Sequence, residues 1–489
     1  MIKNHPKGLK VLFFTEMWER MSYYGMRGLL VLFMTSSIVD GGLNFDNVSA
    51  SAIYGIYAGS VYLATLPGGW IGDNIIGQQK TILYGGIIIM LGHLSLAIPN
   101  INTFYIGLLL VVIGTGLLKP NISAIVGSLY DKNEELKEAG FTIFYLSINI
   151  GSILGFFICG YLGENIGWHY GFAAAGVGMA IGLIQFKVYG KLLGDHGLNP
   201  LNNLNKNKLK LYKKAIILIS ILTTILFVIG LSNSWSFNPV PLANKLTIII
   251  ALISVFYFIF IYSYGNLNPE EKRKVILIFV LFVGAALFWS GFDQAGSSFN
   301  IFAYQYTDRV IFNWEYPASW LQILNPLFVV ILAPFMAYFW IFLGKKMLDP
   351  SIPFKFGIGL IFMALGFVVI SLGAKIAISQ GSVGAQWLLI TYLLHTIGEL
   401  TISPVGLAAI SSLSPKKYLG QMMGVWFLAS SLGAIIAGLL SGKATGGDLS
   451  SMPELFNQIA ISASVFGLVL IVLSKPLYKW VFKNGTPWA

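Results

Sequence analysis

Charge is what this chain most lacks. Only 10% of its 489 residues are Asp, Glu, Lys or Arg, against about 25% in an ordinary soluble protein. A soluble domain of any size is therefore excluded from the expected architecture. Cysteine is nearly absent as well: Cys159 stands alone in the apolar run GFFICGYLG, so no intrachain disulfide can form and redox compartment leaves no mark. No G-x-x-x-x-G-K-[ST] occurs, which argues against a nucleotide-driven pump. There is no metal-spaced cluster of His, Cys and Glu and no activated nucleophile. A membrane enzyme is disfavoured, and neither metal nor organic cofactor is expected. The start, MIKNHPKGLK, is basic, but no short apolar core with a small-residue cleavage site follows it. It is expected to remain as a cytoplasmic tail rather than act as a signal peptide.

What the chain has instead is apolar length. Hydrophobic residues make up 56% of it, and runs of the ~20 residues needed to span a bilayer recur from end to end. Fourteen spans are predicted, at 12–36, 50–71, 82–98, 104–128, 141–162, 171–193, 214–232, 245–265, 274–297, 319–344, 355–376, 385–412, 420–441 and 456–482. With the amino terminus inside, the cytoplasmic segments hold 24 basic residues and the outer loops four: Lys245, Arg309, Lys375 and Lys443. The positive-inside rule selects that orientation, with both termini cytoplasmic. It also accounts for the net charge of +11 without a nucleic-acid partner.

Once the 24 cytoplasmic and four outer residues are set aside, three of the 31 basic residues remain for the membrane interior, Arg20, Arg27 and Lys119, with four acids, Glu16, Glu19, Asp293 and Glu399. A charge at mid-bilayer costs at least ~2.5–3.5 kcal/mol, so these residues must face one another or a watery cavity. Glu16, Glu19, Arg20, Tyr23 and Arg27 follow the spacing of one helix face. The first helix is therefore expected to line a polar interior. A purely structural set of ion pairs is the alternative. Four carboxylates against three cations, however, leave one acid without a permanent partner, a candidate proton carrier.

The two halves share a trace of duplication. IGTGLLKPNISAIVGSL (113–129) and IGELTISPVGLAAISSL (397–413) align at a constant offset, with Pro120 facing Pro404. Each proline removes a helix hydrogen bond, and is expected to kink its helix and expose the carbonyl of Gly116 or Leu400. Lys119 stands beside one kink and Glu399 beside the other. Interrupted helices at matching positions of two halves point to a transporter's binding site, and opposite charges there suit a substrate carrying both signs. The loop GGWIGDNIIGQQK (68–80) is close to the signature loop of the major facilitator superfamily, with its usual basic pair reduced to Gln78, Gln79 and Lys80.

More specific motifs follow. Glu16-Met-Trp-Glu19-Arg20 fits the pattern E-x-x-E-R and is followed by Tyr23-Tyr24-Gly25. GTGLLKPNIS (114–123), FYLSINIGSILG (144–155), FWSGFDQAGSS (288–298), QILNPLFVVILAP (322–334), GELTISPVGL (398–407) and GQMMGVWFLASSLG (420–433) complete the set. Across nearly its whole length the chain resembles the proton-dependent oligopeptide transporters, a branch of the major facilitator superfamily, in their bacterial form.

The resemblance implies an all-α membrane protein of two six-helix bundles, 1–200 and 273–489, joined by a linker and inserted helical hairpin over 201–272. It implies proton-coupled import of di- and tripeptides by alternating access, in the inner membrane, by a monomer. Carried over residue by residue, it implies that Tyr23, Arg27 and Lys119 contact the peptide carboxylate, with Tyr24 and Tyr62 lining the pocket. Glu399, Asn149 and Asn325 would hold the amino group, and Trp289, Trp426 and Ser430 would form walls. Glu16, Glu19, Arg20 and Lys119 would couple protons to substrate, while Asp293 pairs with Arg27 at an outer gate. One departure stands out: animal members carry a proton-handling histidine in the second helix, where this chain has Gly55. His395, one turn before Glu399, is expected to be a hydrogen-bonded interior residue, and His93 a structural one. The main rival is a proton-coupled drug exporter of the same fold, which predicts a greasy pocket with one acid. A carrier of a non-peptide anion would have no use for Glu399.

Overall fold

The computed structural model describes residues 5–131, 136–201, 207, 210, 212, 214, 238–346, 348, 350–445 and 449–482. Six helices precede the linker: α1 (Lys7–Thr35), α2 (Asn47–Ile71), α3 (Gln78–Leu96), α4 (Ile101–Ser128), α5 (Lys137–Asn165) and α6 (Trp168–Tyr189). After it come α7 (Pro239–Tyr264), α8 (Pro269–Phe292), the short α9 (Ser298–Tyr306), α10 (Leu324–Lys345), α11 (Ile352–Gln380), α12 (Gln386–Leu413), α13 (Leu419–Thr445) and α14 (Ser451–Val481). Ten helical segments among the described residues are long and apolar enough to cross a membrane. Residues 215–232 of the predicted seventh span, 214–232, lie outside the described residues, and so does the first arm of the expected hairpin.

Local chemistry sets the helix ends. Asn268 caps α8 in a capping box, accepting from the backbone of Glu270 and Glu271 while Glu271 accepts from the Asn268 backbone, with Pro269 in the first helical position. Asn100 caps α4 by accepting from the Asn102 backbone. In the 68–80 loop, α2 ends in a π-helical turn, Gly72–Ile76, and Gly77 turns the chain at φ +84. Gln78 donates to Asp73 at 2.8 Å. Gln79 donates to the carbonyls of Gly194 and His196 at 3.0 and 2.8 Å. Amides thus tie this loop where the superfamily signature carries bases.

The structure departs from the predicted spans most at 274–297. The helix breaks there: α8 ends at Phe292, a 3-10 turn covers Asp293–Gly296, and α9 resumes at Ser298. The pair Gly291 and Gly296 with Ser297 and Ser298 allows it, because glycine and short polar side chains compete poorly for, or compete with, the helical backbone. Between α9 and α10 a small antiparallel hairpin pairs Val310–Ile311 with Trp314–Glu315.

Two compact units emerge. The first comprises Met1–Met26 and Leu63–Pro241; the second comprises Arg27–Tyr62 and Leu242–Ala489. Helices α1 and α2 are each shared between them.

Lipid tails are as apolar as leucine, so close backbone approach does much of the work of helix association. In the first unit α2 crosses α4 at glycines. A Cβ on Gly68 would lie 1.9 Å from the Gly116 carbonyl oxygen, and one on Gly116 would meet Ala64 at 2.5 Å. Asn121 secures the crossing, donating to the Gly68 carbonyl at 3.0 Å. The carbonyl that Pro120 frees is therefore not exposed, as expected from the sequence, but covered by α2; α4 runs on as helix through its proline. α12 likewise runs on as helix through Pro404.

In the second unit the first half of α2 meets α13. A Cβ on Gly55 would touch the Ala434 oxygen and Gly438 Cα at 3.0 Å, and Ser431 donates to the Gly59 carbonyl at 2.8 Å. Ser51 and Ser441 join at 3.1 Å. Nearby, His395 is enclosed by Phe299 and Phe367, with ring centroids at 5.6 and 5.0 Å, and bonds the Met363 carbonyl at 3.1 Å. His93 is fully buried in α3, and neither of its ring nitrogens has a hydrogen-bond partner.

Gly68→Ala should destabilise the protein by about 1–3 kcal/mol, the usual cost of overpacking. Gly344→Ala, on a helix where nothing lies within 4 Å of the added carbon, should be neutral or slightly stabilising. Thermal denaturation in detergent separates the two, and equal midpoints would refute the glycine crossing as a packing constraint.

Candidate functional site

The polar face of α1 divides between the two units. In the first, Glu16, Glu19 and Arg20 are each at most 1% exposed. Adjacent residues on a helix do not normally face each other, yet the Arg20 guanidinium folds back to bond Glu19 through both Nε and Nη2. The same Nε lies 3.5 Å from Glu16 Oε1. The guanidinium also lies over the Tyr23 ring, 4.8 Å from its centroid, and 5.8 Å from that of Tyr24. Glu16 Oε2 is buried with no hydrogen-bond partner. Lys119 of α4, half-buried, acts on Glu16 electrostatically. Two acids and two bases thus balance within this unit. Asn149 of α5 belongs to the same unit, buried, its amide donating to the Tyr145 carbonyl of its own helix at 3.1 Å.

In the second unit Arg27 and Asp293 form an ion pair, Nη2 to Oδ1 at 2.6 Å, with Arg27 7% and Asp293 2% exposed. Asp293 can reach this position because the helix breaks at it, making it the first residue of the 3-10 turn. Arg27 Nε donates to the hydroxyl of Tyr54 at 2.6 Å. That hydroxyl occupies the space a side chain at 296 would need: a Cβ on Gly296 would lie 2.1 Å from it. Two amides hold the break. Gln294 donates to the Ala437 carbonyl of α13 at 3.0 Å and accepts from Ser298. Asn300 donates to the Gly28 carbonyl of α1 at 2.7 Å.

Glu399 of α12 is in a different position. Its Oε2 accepts from Asn325 Nδ2 at 2.9 Å, and the same amide donates to Thr396 at 3.0 Å. No basic side chain bonds it among the described residues, and the charge acting on it is the like charge of Asp293. Of the intramembrane groups singled out in this unit, Asp293 is paired with Arg27, whereas Glu399 has no cation bonded to it among the described residues.

The aromatic residues sit in fitted places. Trp426, 5% exposed, packs edge-on to Phe356 with centroids 6.1 Å apart and against Gly406. Trp289 packs on Gly433, and its indole Nε1 is buried without a partner. Ser430 is buried one turn beyond Trp426, and Tyr62 is half-buried on α2. Tyr23 and Tyr24 meet edge to face at 5.2 Å. Four polar residues here went unnoticed in the sequence: Tyr54, Gln294, Asn300 and Thr396. Only Thr396 carried a signal, since it lies three residues before Glu399 and so on its helix face.

Comparison with known proteins bears directly on this arrangement. The profile of the POT family matches residues 79–453. The peptide transporter of Yersinia enterocolitica is 40% identical over 97% of this chain and 94% of its own length. The chain belongs to the POT family. A di-/tripeptide transporter of Lactococcus lactis is 33% identical over 97% of the chain and 96% of the relative. A crystal structure of a POT peptide transporter in complex with sulfate superposes with a TM-score of 0.91 at 36% identity, covering 98% of this chain and 96% of that one. In this POT protein the E-x-x-E-R residues Glu16, Glu19 and Arg20 cluster on α1 beside Lys119 of α4, while Glu399 of α12 has no basic side chain bonded to it among the described residues.

Tyr54→Phe should keep the fold, because the ring still fills the space beside Gly296, but should leave Arg27 Nε without its acceptor. A hydrogen bond to a charged group is worth about 1.5–3 kcal/mol. In a double-mutant cycle on thermal or denaturant stability, Tyr54→Phe and Asp293→Asn should couple by more than ~0.5 kcal/mol. Additive effects would mean that Tyr54 does not orient the guanidinium.

Proposed function

We propose that the protein is a proton-coupled symporter that imports di- and tripeptides by alternating access. The observation that carries this reading is the contrast between Glu399 and the other buried acids. A carboxylate fixed by an amide and a hydroxyl-bonded neighbour, with no cation of its own, is suited to receive an ammonium from a ligand. The names of the relatives, peptide transporter and di-/tripeptide transporter, favour a peptide's free amino group as that ammonium.

The remaining roles follow the same chemistry. Lys119, Tyr23 and Arg27 are assigned to the peptide carboxylate, Tyr24 and Tyr62 to the pocket lining, and Asn149, with Asn325 and Glu399, to the amino group. A zwitterion selected through its termini leaves side chains to be accommodated by Trp289, Trp426 and Ser430. Asn325 positions Glu399. Glu16, Glu19, Arg20 and Lys119 form a network in which protonating one acid releases a cation. Asp293 and Arg27 form a latch that protonation of Asp293 weakens, which frees the guanidinium for an incoming carboxylate. Arginine suits that task, since its planar fork serves Tyr54 and an acid together, as a point-charge lysine does not. The reading extends to fourteen membrane helices, with an inserted hairpin ending in α7 between bundles 1–200 and 273–489. It places both termini in the cytoplasm, in a bacterial inner membrane, with the monomer as the working unit.

Uptake by the purified protein in proteoliposomes tests the proposal. An inward proton gradient should drive accumulation of a dipeptide, and N-acetylation of that dipeptide should abolish it. Equal uptake of both forms would overturn the peptide reading and favour a carrier of some other anion. Glu399→Gln should weaken dipeptide binding by about 2–5 kcal/mol, the scale of a buried charge left unpaired, with little change in melting temperature. Asp293→Asn should retain counterflow without a gradient yet lose gradient-driven accumulation, because a ligand shifts an equilibrium only through differential affinity for its two states. Wild-type accumulation by Asp293→Asn would move the coupling proton elsewhere, Glu19 first.

A further inference from the structure

The hairpin between α9 and α10 presents its least soluble residues to the outside of the molecule. Val310 and Ile311 are 56% and 55% exposed, Phe312 is 100% exposed and Trp314 is 42% exposed. None of 310–314 is charged. The two-residue turn is Phe312-Asn313, with φ of 51° and 63°. A turn with positive φ at both central residues calls for Asn-Gly or Asp-Gly, and a bulky residue in the first place is an outlier. Backbone strain of this kind persists where the surroundings over-determine it, and it is a reason to look for a function.

The base of the hairpin is rigid. Arg309 is 7% exposed; its Nη1 donates to the Tyr316 carbonyl and its Nη2 to Glu315, both at 2.6 Å. Its guanidinium stands 5.4 Å from the Tyr304 ring centroid. The preceding Thr307–Asp308 pairs in parallel with Val383–Gly384, between α11 and α12. Phe312 is thus held out on a stiff support.

We propose that this tip inserts into the headgroup–acyl boundary of the lipid bilayer and fixes the depth of the ends of α9 and α10. Its place in the chain favours lipid. It leaves a membrane helix at Tyr306 and returns to the next at Ala318, so it lies at the membrane surface by construction. Trp314 meets Trp320, in the turn that opens α10, edge to face at 5.6 Å. Down α10 the apolar surface continues uncovered through Ile331, Phe335 and Tyr338, at 48%, 69% and 71% exposed. The tip is therefore continuous with a lipid-facing helix flank. Tryptophans and tyrosines concentrate at that level of a membrane. A second copy of the chain is a poorer occupant, since four side chains fall well short of the roughly 800 Å² per partner of a stable interface.

The test uses the full-length protein in phosphatidylethanolamine–phosphatidylglycerol vesicles, with a nitroxide on Phe312→Cys and, as the aqueous reference, on Asp308→Cys. Native Cys159 is 0% exposed and stays in place. Collision with oxygen, which concentrates in lipid, relative to a nickel chelate, which stays in water, should be several-fold higher at 312 than at 308. Equal ratios would overturn the proposal. So would spin–spin broadening between labels at 312, which would put a second copy on the tip. Should the Phe312→Cys protein fail to fold, Val310→Cys in the adjoining strand carries the same readout.

Discussion

The expense of an uncompensated charge in a low-dielectric interior governs everything else about this molecule. Among the described residues, Glu16, Glu19, Arg20, Arg27, Asp293 and Glu399 each have a counter-ion or a hydrogen-bonding partner. Arg27 and Asp293 illustrate the first condition at 2.6 Å. To satisfy it, the polypeptide gives up helical continuity at Asp293, anchors the broken segment with two buried amides, Gln294 on the Ala437 carbonyl and Asn300 on the Gly28 carbonyl, and leaves position 296 without a side chain so that Tyr54 can reach the guanidinium. The broken helix, the glycine and the tyrosine are consequences of one ion pair. Such a pair is weak evidence for stability in itself; under the proposed function its use is that a proton on Asp293 opens it.

Much of this was legible in the sequence, for a physical reason. Charge is so costly in an apolar run that each instance signals its own importance, and Glu16, Glu19, Arg20, Arg27, Lys119, Asp293 and Glu399 could be singled out without any neighbour being known. The helical period then put the α1 residues on one face. What stayed hidden was neutral. Tyr54, Gln294, Asn300 and Thr396 look like ordinary membrane-helix residues until a partner distant in sequence is in place, as Asn300 shows with the Gly28 carbonyl. The break at Asp293 was hidden because glycine and serine are common in membrane helices and only tertiary hydrogen bonds decide whether they interrupt one. The prolines misled in the opposite direction. Their freed carbonyls suggested open polar ground, but at Gly116 the vacancy is filled by the backbone of α2, a contact invisible to any reading of α4 alone.

Small residues and charges thus divide the labour. Where helices must stay together, glycine and serine bring backbones into contact, as at Gly68 with Gly116. Where the proposed function needs electrostatics to change, the side chains are long and ionised, with neutral amides beside them, as Asn325 is beside Glu399. The two systems meet on α2, whose Tyr54 serves the ion pair while the adjacent Gly55 serves the packing.

That adjacency bears on how ancestry constrains engineering. By the family resemblance, Gly55 stands where animal members carry a proton-handling imidazole, and here the backbone of α13 fills the room such a ring would need, with Ala434 oxygen and Gly438 Cα 3.0 Å from a notional Cβ. Grafting the imidazole would require carving α13 as well. Under the proposed function, the choice of proton relay is therefore bound to a helix–helix separation, and an imidazole at position 55 requires both helices to change together.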